Sequence, residues 1–350
     1  MKIRNYLGVL VSLTLVITAT EMIQLPNAEA DPIPSAPVTQ RQPLSYTEAL
    51  ASPDWIAIPG GLVYKSCLHE VPDGSDVSAD GIVTMNKTVV DVFPTCPYSG
   101  IVQDPGMASA ALAANDPAAI EFAPDYGGPT VINPPAGSSI AQEKTTPTGW
   151  LLASWWTATV EITKLSAQWT VPANPASNGA LVYLFPSVEP SGSGGAIIQP
   201  VLQWGNNGAF GGNAWVMANW YVPSSGNASY SSPQTTPVGS VIIGTMTRTS
   251  STTGTWSIGF TNKSAGTSKT LSINTGKTSW KAVQGGVLEA YSVGTCQKLP
   301  KVTSLTFGSI SVSSSSGTVT PSFVGYKWVT TCGVSISVTS TSTKLGWNPS

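Results

Sequence analysis

From Gly149 to the C-terminus the chain is a succession of short β-favouring runs, and no segment sustains a helical period. Val, Ile, Thr, Trp and Tyr dominate residues 155–162, 165–171, 181–185, 238–247, 254–261, 286–293 and 318–324. Clusters of Ser, Gly, Asn and Pro separate these runs, as turns separate strands. So many strands with no helices to cover them must cover one another. The pattern therefore predicts an all-β fold, a two-sheet antiparallel β-sandwich spanning residues 149–350. Eleven of the 12 tryptophans lie in this half. Many belong to its core, because an indole buries a large area against a sheet face.

The chain ahead of the sandwich reads differently. Lys2 and Arg4 precede an apolar run over residues 7–18, and Ala28-Glu29-Ala30 follows as a small-x-small cleavage site. This is the layout of a secretory signal peptide over residues 1–30, and the apolar run is short for a membrane anchor. Residues 31–42 are Pro-rich and extended. Residues 45–115 hold Trp55, the turn sequence Pro59-Gly60-Gly61 and two cysteines, with a helical turn expected over 107–115. Residues 117–148 fill with Pro and Gly, as a linker does. Residues 31–148 are thus expected to be a pro-segment or an accessory module with its linker. Export turns the four cysteines into a disulfide question, and the two-region layout suggests Cys67 with Cys96 and Cys296 with Cys332. Once these pair, the single histidine, His69, has too few partners for a zinc site.

Charge is scarce and unevenly placed. Only Glu161, Glu189 and Glu289, three of the 18 acidic residues, lie beyond residue 150, against ten of the 16 Lys and Arg. A domain so poor in carboxylates has little stability to lose when they protonate. Its positive balance is scattered, so nucleic acid is not an expected partner.

The same counts exclude much chemistry. A nucleophilic triad would have to recruit His69, outside the β domain and beside a cysteine. Paired-carboxylate glycoside hydrolysis finds no two acids on one strand. In the central stretch 196–223, Gln199 and Gln203 are four apart, so an unbroken strand points both to one face, although Pro200 between them could force a bulge. Alternation then sets Trp215, Met217 and Asn219 on one face of the next strand, with Val216, Ala218 and Trp220 on the other. Glu289 stands in an otherwise apolar strand on the face of Val287 and Tyr291, where desolvation suits a carboxyl to acid–base work. Glu161 reads as an exposed strand residue and Glu189 as a loop residue.

Several motifs together resemble the glutamic peptidases, or eqolisins. Ser166-Ala167-Gln168-Trp169-Thr170-Val171-Pro172 is similar to that family's opening strand. Val201-Leu202-Gln203-Trp204-Gly205 resembles the strand bearing its catalytic glutamine, and Asn219-Trp220-Tyr221-Val222-Pro223 the segment after it. Leu288-Glu289-Ala290-Tyr291 falls where the family has its catalytic glutamate, and Leu305-Thr306-Phe307-Gly308-Ser309-Ile310 resembles a late strand. The motifs keep family order, but Asn206, Asn207 and Asn219 stand where the family has acids, which marks a divergent member.

The resemblance implies a concanavalin A-like or jelly-roll sandwich with a Gln203/Glu289 dyad on its concave sheet. Glu289 would activate water and protonate the leaving amine, and the Gln203 amide would hold the oxyanion. Trp204, Trp215, Asn219, Trp220 and Tyr291 are the expected substrate-binding residues. The expected protein is a secreted, acid-acting, monomeric endopeptidase made as a zymogen, with a polypeptide substrate, no cofactor and no metal. The alternative is a non-catalytic lectin-like sandwich that binds cell-wall polysaccharide through Trp204, Trp215 and Trp220.

Overall fold

The computed structural model describes residues 40–103, 130–132, 148–190, 196–224 and 226–350. The expected signal peptide, the helical turn over 107–115 and most of the 117–148 linker lie outside these residues. The described chain is all-β in the expected way, two large and mostly antiparallel sheets stacked as a sandwich, and its described residues from 40 onward belong to one compact unit. The α-helix that does form, Tyr46–Ala51, begins at a capping box in which Ser45 and Glu48 bond reciprocally. Ser45-Tyr46-Thr47-Glu48 carried that signal in the sequence, and it was missed.

One sheet, of ten strands among the described residues, carries the glutamine strand Ile197–Asn206 at its centre. Gly211–Val222 flanks it on one side and the bridging strand Leu181–Pro190 on the other. The glutamate strand, Trp280–Tyr291, pairs with the far side of the bridging strand. The second sheet, of eleven strands among the described residues, is built around Ile162–Thr170, Val241–Ser250, Thr255–Asn262 and Ser304–Ser314.

Period-two alternation divides the glutamine strand between two cores. Ile198, Leu202 and Trp204 point into the inter-sheet core with Ile242, Trp256 and Phe307. Ile197 and Val201 point outward into a second core with Trp55, Ile58, Leu62 and Val63. Pro200 forces no bulge here, because Gln199, Pro200 and Val201 pair in unbroken register with Trp220, Asn219 and Ala218. On the other side, the register from Leu184–Leu202 to Val188–Ile198 sets Pro186 opposite Pro200. Neither proline has an N–H to lose, so one gap in the ladder accommodates both. The glutamate strand does bulge at Gly285–Gly286, where its register with the bridging strand shifts. A side chain at Gly286 would meet the Phe307 ring at 2.3 Å, so glycine is what lets the sheets close there.

The N-terminal residues are knitted into both sheets. Leu68–Val71 adds to the first by parallel pairing with Ala228–Ser231, and Asp76–Val77 adds to the second beside Thr267–Asn274. Ahead of these anchors, Trp55–Ile58 and Gly61–Tyr64 form a hairpin that lies on the outer face of the first sheet. Ile58, Leu62 and Val63 are at most 1% exposed. Burial of each contributes roughly 1.5–3 kcal/mol, more than any single hydrogen bond the hairpin makes. Cys67 is joined to Cys96 just beyond the hairpin, and Cys296 to Cys332 near the C-terminus.

Candidate active site

The outward face of the first sheet holds two polar rows. Tyr183 on the bridging strand pairs with Gln203 on one side and Glu289 on the other, so register alone aligns these three side chains across three strands. Farther along, the register with the glutamine strand sets Ser187 beside Gln199, and past the bulge the glutamate strand sets Gln284 opposite Ser187.

Glu289 is fully buried, yet both carboxylate oxygens are occupied. Oε2 accepts from the Gly60 N–H at 2.8 Å, and Oε1 accepts from the Tyr291 hydroxyl at 2.6 Å. Gln203 turns its amide inward on its own loop. Its Nε2 donates to Gly205 O at 2.9 Å and to Phe210 O at 3.1 Å, while Asn207 Nδ2 approaches its Oε1 at 3.5 Å. Asn207 Oδ1 in turn accepts from the N–H groups of Ala209 and Phe210. Gln203 and Asn207 thus fold the connection after the glutamine strand. Gly211 is needed beside them, since a Cβ there would meet the Gly205 carbonyl and the Gln203 amide.

In the second row, Gln199 Nε2 donates to Pro59 O at 3.0 Å. Ser187 Oγ donates to Gln284 Oε1 at 2.6 Å. Gln199 Oε1, Gln284 Nε2 and Glu189 Oε1 are buried without a hydrogen-bond partner. Glu189 differs from its expected place in a loop: it lies near the end of the bridging strand and is 2% exposed. Burial pushes its carboxyl well above the usual carboxylate range. Burial likewise raises the Tyr183 hydroxyl well above its ordinary value, and that hydroxyl donates to Ala57 O at 2.9 Å. Beside the hairpin a cleft of about 500 Å³ opens between Trp55, Ala57, Leu181, Asn207 and Tyr291.

The other expected site residues divide by parity. Tyr291 and Trp220 share the face of Glu289, where Trp220 stacks on Tyr230. Trp204, Trp215 and Asn219 were expected to line the site and instead face the inter-sheet core. Trp204 and Trp215 pack with ring centroids 5.5 Å apart, and Asn219 Nδ2 donates to Lys269 O of the opposite sheet. The reason is local. A residue next to Gln203 in an unbroken strand points away from it. Glu161 precedes the strand Ile162–Thr170 rather than standing on it, and binds Ser279 Oγ and the Trp280 N–H. Tyr183 is not among the expected site residues, because only the pairing of the bridging strand with both neighbours sets it between Gln203 and Glu289.

No family of related sequences matches the chain, and no curated protein does. Several solved structures are similar to it. Scytalido-glutamic peptidase with a peptide-based transition-state analogue matches at 16% identity and a TM-score of 0.42. SCP-B, a member of the eqolisin family of peptidases in complex with the tripeptide Ala-Ile-His, matches at 16% identity and a TM-score of 0.40. Each match covers 57% of this chain and 98% of the other. Aspergilloglutamic peptidase from Aspergillus niger matches at 18% identity over 48% of this chain and 98% of its own, with a TM-score of 0.33.

Proposed function

We propose that this protein is an exported, acid-acting endopeptidase of the glutamic type, with Glu289 as its acid–base group and an amide of the glutamine strand as its oxyanion donor. The observation that carries this reading is the Glu289 carboxylate, which accepts a peptide N–H at 2.8 Å on a face that also presents two glutamine amides. A carboxylate in that position can draw a proton from water as the water oxygen bonds to the peptide carbon. It then returns the proton to the nitrogen as the C–N bond breaks. The neighbouring amide lowers the barrier by holding the oxygen on which charge develops. Gln203 is the partner to which the motif order points. The chain carries three carboxylates in its sandwich, so acid leaves its framework intact.

The lectin-like alternative loses its aromatic platform, because Trp204, Trp215 and Trp220 are no more than 2% exposed. The test is digestion of a denatured protein substrate from acid to neutral pH by the parent, Glu289→Gln and Gln203→Ala proteins. Cleavage should peak in acid and fall at least 100-fold in Glu289→Gln. Activity that survives Glu289→Gln removes this reading.

A further inference from the structure

Where the N-terminal residues join the two sheets, a cavity of about 410 Å³ opens between them. Tyr221 and Ser229 line it from the first sheet, directly opposite each other in register. Val77 and Ile273, also register partners, line it from the second, and Phe93 adds an aromatic ring. Alternation aims Ser229 into this space. Its neighbours Ala228 and Tyr230 point into the outer core, so the side chain between them turns inward. Ser229 is 1% exposed, and its Oγ has no hydrogen-bond partner among the described residues. By contrast, Ser231 on the same face accepts the Asn219 N–H at 3.0 Å. A hydroxyl buried without a partner is destabilising, and a ligand that pairs with it recovers that loss. The rim is polar, with Ser78, Asp80, Asn227 and Lys277 exposed or half-buried. Asn227 is held in place, since its Nδ2 donates to Pro94 O at 2.8 Å and its Oδ1 lies 3.1 Å from His69 Nε2. One amide hydrogen and one oxygen lone pair are left for a ligand.

These features complement a sugar ring. Val77, Ile273 and the rings of Phe93 and Tyr221 can cover its C–H face. A sugar hydroxyl at depth meets Ser229, a group that, like itself, both donates and accepts. The charged lining residues are Asp80 and Lys277, one of each sign, so the rim selects no net charge. The volume lies at the small end of the roughly 300–1,000 Å³ usual for ligand sites, which suits a single unit rather than a polymer laid along a groove. We propose that this cavity binds a neutral pyranose unit of a glycan, with Ser229 at its base and Phe93 and Tyr221 as its walls. Tyr221 and Ser229 face between the sheets, whereas Gln203 and Glu289 face outward, so the two sites lie on opposite faces of one sheet. The glycan site therefore goes beyond the peptidase reading and does not depend on it. Val77, Asp80 and Phe93 come from the N-terminal residues, so the cavity exists only while those residues stay with the sandwich. That gives them a role that a discarded pro-segment would lack.

The experiment uses the full chain made in a host that does not glycosylate, because Ser229 also completes the sequon at Asn227. The probes are the methyl pyranosides of glucose, galactose, mannose and N-acetylglucosamine, titrated by saturation-transfer NMR and by melting temperature. At least one should bind with a Kd of about 1 mM or tighter and raise the melting temperature. Ser229→Ala should weaken that probe at least tenfold, a loss of roughly 1.4 kcal/mol, while the free protein melts no lower than the parent. Ala79 lines the cavity from an exposed position, so Ala79→Trp should fill the mouth and abolish binding. Either variant decides the matter where the other fails to fold. N-acetyl dipeptide amides, run in parallel, should not bind here. No glycoside bound at about 10 mM overturns the proposal, and so does binding that survives both substitutions. Dipeptide amides bound in place of the glycosides overturn the ligand class. The readout is binding, so it stands whether or not the protein digests a substrate.

Discussion

Glu189 should make this protein more stable in acid than at neutral pH, the reverse of the usual trend. Its carboxyl is 2% exposed, its Oε1 has no partner, and burial raises its pKa well above the ordinary 4.5. Below 4.5 the group is protonated whether the chain is folded or not. Above it, the unfolded chain gives up a proton that the folded chain keeps. The folded state then binds one proton more, and stability falls as pH rises by up to about 1.4 kcal/mol per pH unit. Between pH 4.5 and 7 the loss is on the order of a few kcal/mol, and for a chain of this size each kcal/mol is worth roughly 2 °C. His69 works the other way below its ordinary 6.5, because burial lowers its pKa. That ring is only half-buried, so its contribution is smaller. The assay is thermal unfolding of the parent and Glu189→Gln proteins across this range. The parent should melt a few degrees lower relative to Glu189→Gln at neutral pH than in acid, at roughly 2 °C per kcal/mol lost. Parallel melting curves for the two proteins would refute a buried, neutral Glu189.

Other sites give sharper local outcomes. Gly286→Ala drives a methyl into the Phe307 ring, 2.3 Å away, and should cost about 1–3 kcal/mol in a denaturant titration. Cys67→Ser opens a disulfide between residues 29 apart and should cost ~3–4 kcal/mol, read as a lower urea midpoint with a steeper slope, because the freed unfolded chain exposes more surface. An unchanged midpoint would mean that strand pairing alone holds that region. Glu161→Ala strips an acceptor from Ser279 Oγ and the Trp280 N–H and should cost about 2 kcal/mol, with Glu161→Gln recovering part of it. The chain has Asn-x-Ser/Thr sequons at Asn86, Asn227 and Asn262, and in a glycosylating host Asn86 should be the occupied one, checked by peptide mass spectrometry. It lies exposed in a turn, whereas Asn262 is 1% exposed and the Asn227 amide is bonded to Pro94 O.

Much of the fold was legible because strand chemistry is local. Alternation of Val, Ile, Thr and Trp announced the sandwich, and two-residue periodicity set Gln199 with Gln203 and Glu289 with Tyr291. The same periodicity contradicts Trp204 as a neighbour of Gln203 in any groove, yet the motif invited that placement. The capping box at Ser45 was equally local and simply went unread. Glu189 beside Pro190 has the chemistry of a loop, and nothing near it in sequence signals that sheet pairing will bury it.

The sequence by itself therefore determined that residues 149–350 are built of strands and which side chains share a face within a strand, since both follow from the geometry of a few consecutive residues. Only the tertiary structure decided what each face meets. Pairing of Leu68–Val71 and Asp76–Val77 with strands far along the chain carries the Pro59–Gly60 turn onto Glu289 and Gln199. Such contacts, closing loops of more than 100 residues, leave no periodic trace in the sequence because they depend on the order in which whole strands assemble. The polar face was readable from alternation. Its occupant was not.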